Sequence, residues 1–211
     1  RKGLHRNTPG VQRHIAALNE SIYLKDFSKA HSFSNQSDFY TANAIISRRN
    51  NDLPQSIEHY KKLLALYESH PENISTGPDN YIRVINNVCS CLLRENNYPE
   101  TKIYLEKMRN MPGNYNIKNR SALDRRIFEL SYNIELEYLI ENENYNEVEA
   151  LLPELTAGMQ RYQNEIKAVF LFDFYLRIAQ FYFAKNDYPW CLDWINKILN
   201  SPVSPKTSIA L

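Results

Sequence analysis

Four times along this chain an apolar helical pattern stops at asparagine, and a second such pattern starts at once. The corners are Asn51-Asp52-Leu53-Pro54, Asn97-Tyr98-Pro99, Asn144-Tyr145-Asn146 and Asn186-Asp187-Tyr188-Pro189. The Pro or Asn after the apolar residue falls at positions 54, 99, 146 and 189, so the unit recurs every 43–47 residues. Proline fits a first helical turn, where its missing N–H is no loss. A unit of this length holds two helices and a turn, too little to bury its own apolar face, so successive units must stack. The expectation is an all-α chain: a right-handed α–α superhelix (solenoid) of about four antiparallel helix pairs plus an N-terminal helix. The scarcity of glycine, 5 in 211 residues, also disfavours a fold of many tight β turns.

The helical periodicity places an amphipathic helix over 10–28, with Val11, Ile15, Leu18 and Ile22 on one stripe after the start signal Thr8-Pro9. Helix pairs follow over about 37–70, 79–111, 121–162 and 165–200. Ser37-Asp38 reads as the cap of the first pair. Ser75-Thr76-Gly77-Pro78 reads as a loop, and Met111-Pro112-Gly113-Asn114 as a helix break. Pro153 and Gly158 predict a kink or break in the second helix of the third pair. Ser204 to Leu211 reads as the cap and first turn of a further helix, as expected for a piece of a longer chain.

Composition narrows the function classes. A formal net charge of +1 gives no bulk attraction to nucleic acid or to an anionic membrane. The most apolar stretch, Ala168 to Ala184, contains Asp173, Arg177 and Gln180 and is short for a membrane span; it reads as a buried helix. Cys89, Cys91 and Cys191 sit in apolar helical patterns. Cys89 and Cys91 point to opposite sides of one helix, so they read as buried free thiols of a reducing, cytoplasmic setting and not as zinc ligands.

The strings NDLPQSIEHYKKLLALY and NDYPWCLDWINKIL resemble the second half of a tetratricopeptide repeat. The small residue after the turn becomes Ser56, Thr101, Val148 and Cys191. The turn aromatic becomes Leu53, Tyr98, Tyr145 and Tyr188. The bulky position four places on becomes Tyr60, Leu105, Leu152 and Ile195, and three further on lie Leu63, Met108, Leu155 and Ile198. In the first helices the opening aromatic becomes Tyr40, Ile85, Tyr132 and Tyr175, and the close-packing glycine becomes Ala44, Cys89, Leu136 and Ala179. The resemblance covers about Asp38 to Leu199. The family repeat has about 34 residues; these units are longer, and the third departs most, with bulky Leu136 at a small position. Most of the aligned tyrosines among the 15 in the chain are expected to be packing residues.

The resemblance implies a concave groove lined by the first helices. Carried over by alignment, that groove holds Asp38, Thr41, Ile45, Arg48 and Arg49 from the first pair. It holds Arg83, Asn86, Ser90 and Arg94 from the second and Asn133, Glu137 and Glu141 from the third. One end is basic and polar, the other acidic. The positions of the family's carboxylate-clamp asparagine are Ile45, Ser90, Glu137 and Gln180, so that clamp is not expected.

The sequence contains no nucleophile elbow, no HExxH and no glycine-rich phosphate loop. His5, His14, His31, His59 and His70 are scattered in the first third and read as surface histidines. Glu137 and Glu141, four apart, share a helix face, yet lack the further ligands a cation site needs. The reading is a protein- or peptide-binding scaffold without enzymatic activity, cofactor or metal, and with no role for nucleic acid or membrane. The alternative is a sensor or regulatory segment of a larger signalling or transcription-regulating protein.

Overall fold

Among the described residues, five corners in the left-handed backbone region each end a helix. A computed structural model of the chain describes residues 26–118 and 120–200. In it Asn51, Asn96, Asn116, Glu143 and Asn186 have φ of 63, 55, 50, 56 and 60°. At each corner the next N–H reaches back five residues to a carbonyl. Asp52 bonds Ser47 at 2.9 Å, Asn97 bonds Leu92 at 2.9 Å, Ile117 bonds Pro112 at 3.0 Å, Asn144 bonds Leu139 at 2.9 Å and Asp187 bonds Tyr182 at 2.9 Å. This is the bond that closes a helix over a left-handed residue and satisfies its last carbonyls. Four of the five residues are asparagine, whose short amide tolerates this conformation.

The helices are α1 (Phe33–Arg49), α2 (Leu53–Glu68), α3 (Pro71–Thr76), α4 (Pro78–Arg94), α5 (Tyr98–Asn114), α6 (Ser121–Glu141), α7 (Tyr145–Arg161), α8 (Ala168–Ala184) and α9 (Tyr188–Asn200). A 3-10 turn, Phe27–Lys29, precedes them, and there is no strand among the described residues. The expected helix 10–28, up to residue 25, and the expected segment 204–211 lie outside the described residues.

The chain divides into two compact units, the first ending at Tyr104 and the second starting at Leu105. In the first, α1 packs on α2 and α2 on α4, with α3 set against both. Small residues bring the first pair close: Ala44 is fully buried, and the Ser56 hydroxyl donates to the Ala44 carbonyl at 2.8 Å. Ser56 Oγ also lies 3.7 Å from Cys91 Sγ of α4, and the rings of Tyr67 and Tyr81 meet at 5.9 Å.

In the second unit α6 packs on α7 and α8, and α8 on α9. The core gathers Phe128, Leu136, Val148, Leu155, Phe174, Phe181 and Trp194. Gly158 of α7 lies against the Phe128 ring of α6; a Cβ there would stand 2.1 Å from Cε2 of the ring. Tyr175 and Tyr182 of α8 meet Trp194 and Trp190 of α9 at 5.5 and 5.9 Å.

Several local expectations are corrected. The cap of α1 is Ser32, whose Oγ accepts the Asn35 N–H at 3.2 Å, so Asp38 lies inside the helix. The expected loop before Pro78 contains α3: Pro71 starts it, Ile74 anchors it by full burial, and Thr76 Oγ1 bonds the Glu72 carbonyl at 2.9 Å. α5 runs through Pro112 to Asn114 because its end is set by Asn116. α7 is continuous through Pro153. Pro153 and Glu149, whose carbonyl would have bonded residue 153, are both exposed, so the loss falls on the solvent side of the helix. α8 starts at Ala168, three residues later than expected, with Lys167 as its cap.

Candidate interaction surfaces

The residues aligned to a groove divide between the two units. In the first unit Thr41, Ile45 and Arg48 are half-buried on α1, and Asp38 and Arg49 are exposed. The spacing 38, 41, 45, 48 places Asp38, Thr41, Ile45 and Arg48 on one helical stripe. On α4, Arg83 and Arg94 are exposed and Asn86 and Ser90 half-buried. The polar atoms are partly committed. Arg83 Nη2 donates to Asn80 Oδ1 at 3.0 Å, Ser90 Oγ to the Asn86 carbonyl at 2.8 Å, and Arg94 Nη2 to Asn51 Oδ1 of the first corner at 3.3 Å. None of Arg48, Arg49, Arg83 and Arg94 pairs with a carboxylate among the described residues. These four arginines therefore carry positive charge that no ion pair among the described residues offsets.

In the second unit Glu137 and Glu135 of α6 are each paired with an arginine from a different helix. Arg177 of α8 donates through Nε to Asn133 Oδ1 at 3.1 Å and through Nη2 to Glu137 Oε2 at 2.6 Å. Arg109 of α5 repeats the arrangement, Nε to Ser131 Oγ at 3.2 Å and Nη2 to Glu135, with its guanidinium over the Tyr132 ring. Each arginine spans residues i and i+4 of α6 with its planar fork. Burial still pushes the Glu137 carboxyl above the usual range; Arg177 pulls it down, while Glu141 and Asp173 push it further up. Glu141 is exposed at the helix end.

A third ionic cluster escaped the sequence reading. Glu129 is fully buried, with Arg125 Nη1 at 3.0 Å from Oε1 and Arg126 Nη1 at 3.3 Å from Oε2. Its Oε1 also accepts the Lys167 N–H at 3.0 Å, which fixes the start of α8. The available signal was a carboxylate inside the apolar run Ile127-Phe128-Glu129-Leu130, preceded by two arginines at helical spacing.

His59, expected at the surface, is half-buried, with Nε2 3.2 Å from Gln55 Nε2 and Nδ1 without a hydrogen-bond partner. Burial lowers its pKa, Lys62 lowers it further, and Glu58 and Asp52 act the other way. The Tyr60 hydroxyl is buried without a partner, and burial raises its pKa. All three cysteines are buried free thiols, and burial pushes Cys89 up to about 12, which leaves it inert.

Two clefts open in the second unit. One, of about 320 Å³, lies among α5, α6 and α7, walled by Arg109, Tyr132, Glu154 and Arg161. The other, of about 270 Å³, lies among α7, α8 and α9, walled by Met159, Tyr175, Trp194 and Lys197, whose Nζ sits 3.4 Å above the Trp194 ring. Among the described residues no group of three or more His, Cys, Asp and Glu could hold a metal ion. No helix among them is long and apolar enough to cross a membrane.

No protein-family model, no curated protein and no solved structure matches this chain.

Proposed function

We propose that this protein is a tetratricopeptide-like scaffold that binds acidic protein or peptide segments through its first unit. Two features support the helix-pair reading. Corners ending at Asn51, Asn96, Glu143 and Asn186 share one backbone geometry. The aligned small positions Ser56, Thr101, Val148 and Cys191 are all buried, as are Ala44, Cys89, Leu136 and Ala179. The observation that carries the binding reading is the charge on the first unit. Arg48 and Arg49 of α1 and Arg83 and Arg94 of α4 have no carboxylate partner among the described residues, whereas Glu135 and Glu137 of α6 are each held by an arginine. Arginines without an ion-pair partner on α1 and α4 offer planar donors for carboxylates.

The test is an array of glutamate- and aspartate-rich peptides, read by fluorescence anisotropy against the intact chain and against Arg48→Glu/Arg49→Glu. Binding that weakens about tenfold or more in the double variant, and that falls with added salt, is expected. Equal signals from both proteins, or none from the parent chain, would remove the reading.

A further inference from the structure

Three helices of the second unit each bring an apolar side chain to the cleft of about 270 Å³: Met159 of α7, Leu171 and Tyr175 of α8, and Trp194 of α9. Leu171 and Tyr175 are four residues apart and so share one face of α8. Met159 and Trp194 are buried and the other two half-buried, so together they form the apolar base of the cleft. The rings of Tyr175 and Trp194 meet with centroids 5.5 Å apart. Around that base stand polar side chains, among them Gln160, Gln163 and Lys197, all three exposed. An apolar base with a few converging polar groups is the usual make-up of a small-molecule site.

Lys197 is the one charged side chain among the described residues that line this cleft. It has no carboxylate partner among the described residues. Its Nζ sits 3.4 Å from the centroid of the Trp194 ring, one helical turn away on α9. Indole offers an ammonium the best of the aromatic faces. The indole N–H of Trp194 is itself buried without a hydrogen-bond partner, so a phenyl ring would fill the core at less cost. What the indole adds is a hold on the ammonium. A ring face attracts that charge without cancelling it, so the cleft stays cationic. The neighbouring cleft of about 320 Å³ differs: Arg109 and Arg161 there stand with Asp124 and Glu154, and no one sign of charge selects a ligand.

We propose that the cleft among α7, α8 and α9 binds a small aromatic carboxylate, with its ring on the Tyr175 and Trp194 base and its carboxylate toward Lys197. Each part of the ligand answers one part of the cleft. The ring takes the two aromatic side chains and the polarisable sulfur of Met159. The carboxylate takes the ammonium, and the side-chain amides of Gln160 and Gln163 add uncharged donors. A neutral aromatic compound would leave Lys197 unpaired, and an acid without a ring would leave the aromatic base unused. At about 270 Å³ the space is slightly smaller than the roughly 300–1,000 Å³ of clefts that enclose drug-sized ligands, which suits a compound of one or two rings.

The experiment uses the full chain with 3-phenylpropionate and 2-naphthoate as probes. Calorimetry reads the affinity, and the Trp194 indole N–H signal in nitrogen-15 NMR reads the place. The chain has two tryptophans, and Trp190→Phe identifies the other signal. Dissociation constants of about 0.1–1 mM are expected for the two acids, with the Trp194 signal moving on binding. 3-Phenylpropionamide lacks the charge and hexanoate lacks the ring; each should bind at least about fivefold more weakly than 3-phenylpropionate. Lys197→Met removes the cation, and Gln163→Glu sets a carboxylate against the ligand; both positions are exposed. Each variant should weaken 3-phenylpropionate by about fivefold and leave the amide within about twofold, which a misfolded cleft would not do. No binding of either acid up to about 10 mM, amide or hexanoate binding as tightly as 3-phenylpropionate, or acid affinity unmoved in both variants would overturn the proposal.

Discussion

A single side chain sits badly at one of the five corners. Glu143 has φ 56°, the conformation that asparagine occupies at the other four. For a residue with a Cβ and no short amide this region costs about 1–2 kcal/mol, and glycine avoids that cost while adding freedom to the unfolded chain. Glu143→Gly should therefore raise stability by about 1 kcal/mol, seen as a higher denaturant midpoint with an unchanged slope. A lower midpoint would mean that the glutamate makes a compensating contact. His59 gives a second residue-level outcome, with pH as the variable. Its folded pKa lies below the ordinary value of 6.5, chiefly through burial. Protons then bind the unfolded chain more readily, so the stability tied to His59 is complete above 6.5 and is lost as pH falls below it. Thermal midpoints between about pH 7 and about pH 5 should drop more steeply for the parent chain than for His59→Gln. Parallel curves would show that His59 titrates alike in both states.

At the scale of the element, close approach of paired helices depends on what lies between them. Ala44 of α1 is fully buried and its carbonyl takes the Ser56 hydroxyl of α2; Ala179 of α8 is buried in the core of the second unit. A larger side chain at either place must push a neighbouring helix aside. Ala44→Leu and Ala179→Leu should each cost about 1–3 kcal/mol by calorimetry or denaturant titration. Unchanged midpoints in both variants would mean that these alanines do not set the helix spacing. The elements also show how proline is read in context. At Pro54 and Pro78 it opens helices, as its fixed φ and missing N–H suit. At Pro112 and Pro153 the same residue lies inside helices, because their ends are set by bonds further along the chain. Local propensity thus marked four of the five corners, missed the one at Asn116, and placed a break at Pro112 where the helix runs on.

Across the whole molecule, what the sequence made legible was local. The asparagine corners, the proline starts and the apolar stripes all act within one or two turns, and the helical class follows from them. The ionic clamps on α6 join partners 22 to 44 residues apart, Arg109 to Ser131 at the near end and Asn133 to Arg177 at the far end, and no local spacing announces such pairs. For the same reason the acidic face read from Glu137 looked free, although Arg177 holds it. The candidate residues on α1 and α4 came from the resemblance, by alignment; their lack of carboxylate partners is a property of the folded chain.

The division at Tyr104 and Leu105 implies that each unit's packing is largely its own, and damage inside one should be felt there first. Gly158 offers a clean way to cause such damage. Alanine is the better helix former by about 1 kcal/mol, so propensity alone favours Gly158→Ala. The new methyl group, however, would stand 2.1 Å from the Phe128 ring, which also packs against Tyr132, Tyr162 and Phe174 in the core of the second unit. Displacing that ring should outweigh the propensity gain and leave a net loss of about 1–3 kcal/mol. Hydrogen exchange by mass spectrometry locates the loss: amides of α6, α7 and α8 should exchange faster in the variant, while those of α1, α2 and α4 keep their protection. Acceleration spread evenly over both units would show that they open together; a stabilised variant would show that the Phe128 ring yields at little cost.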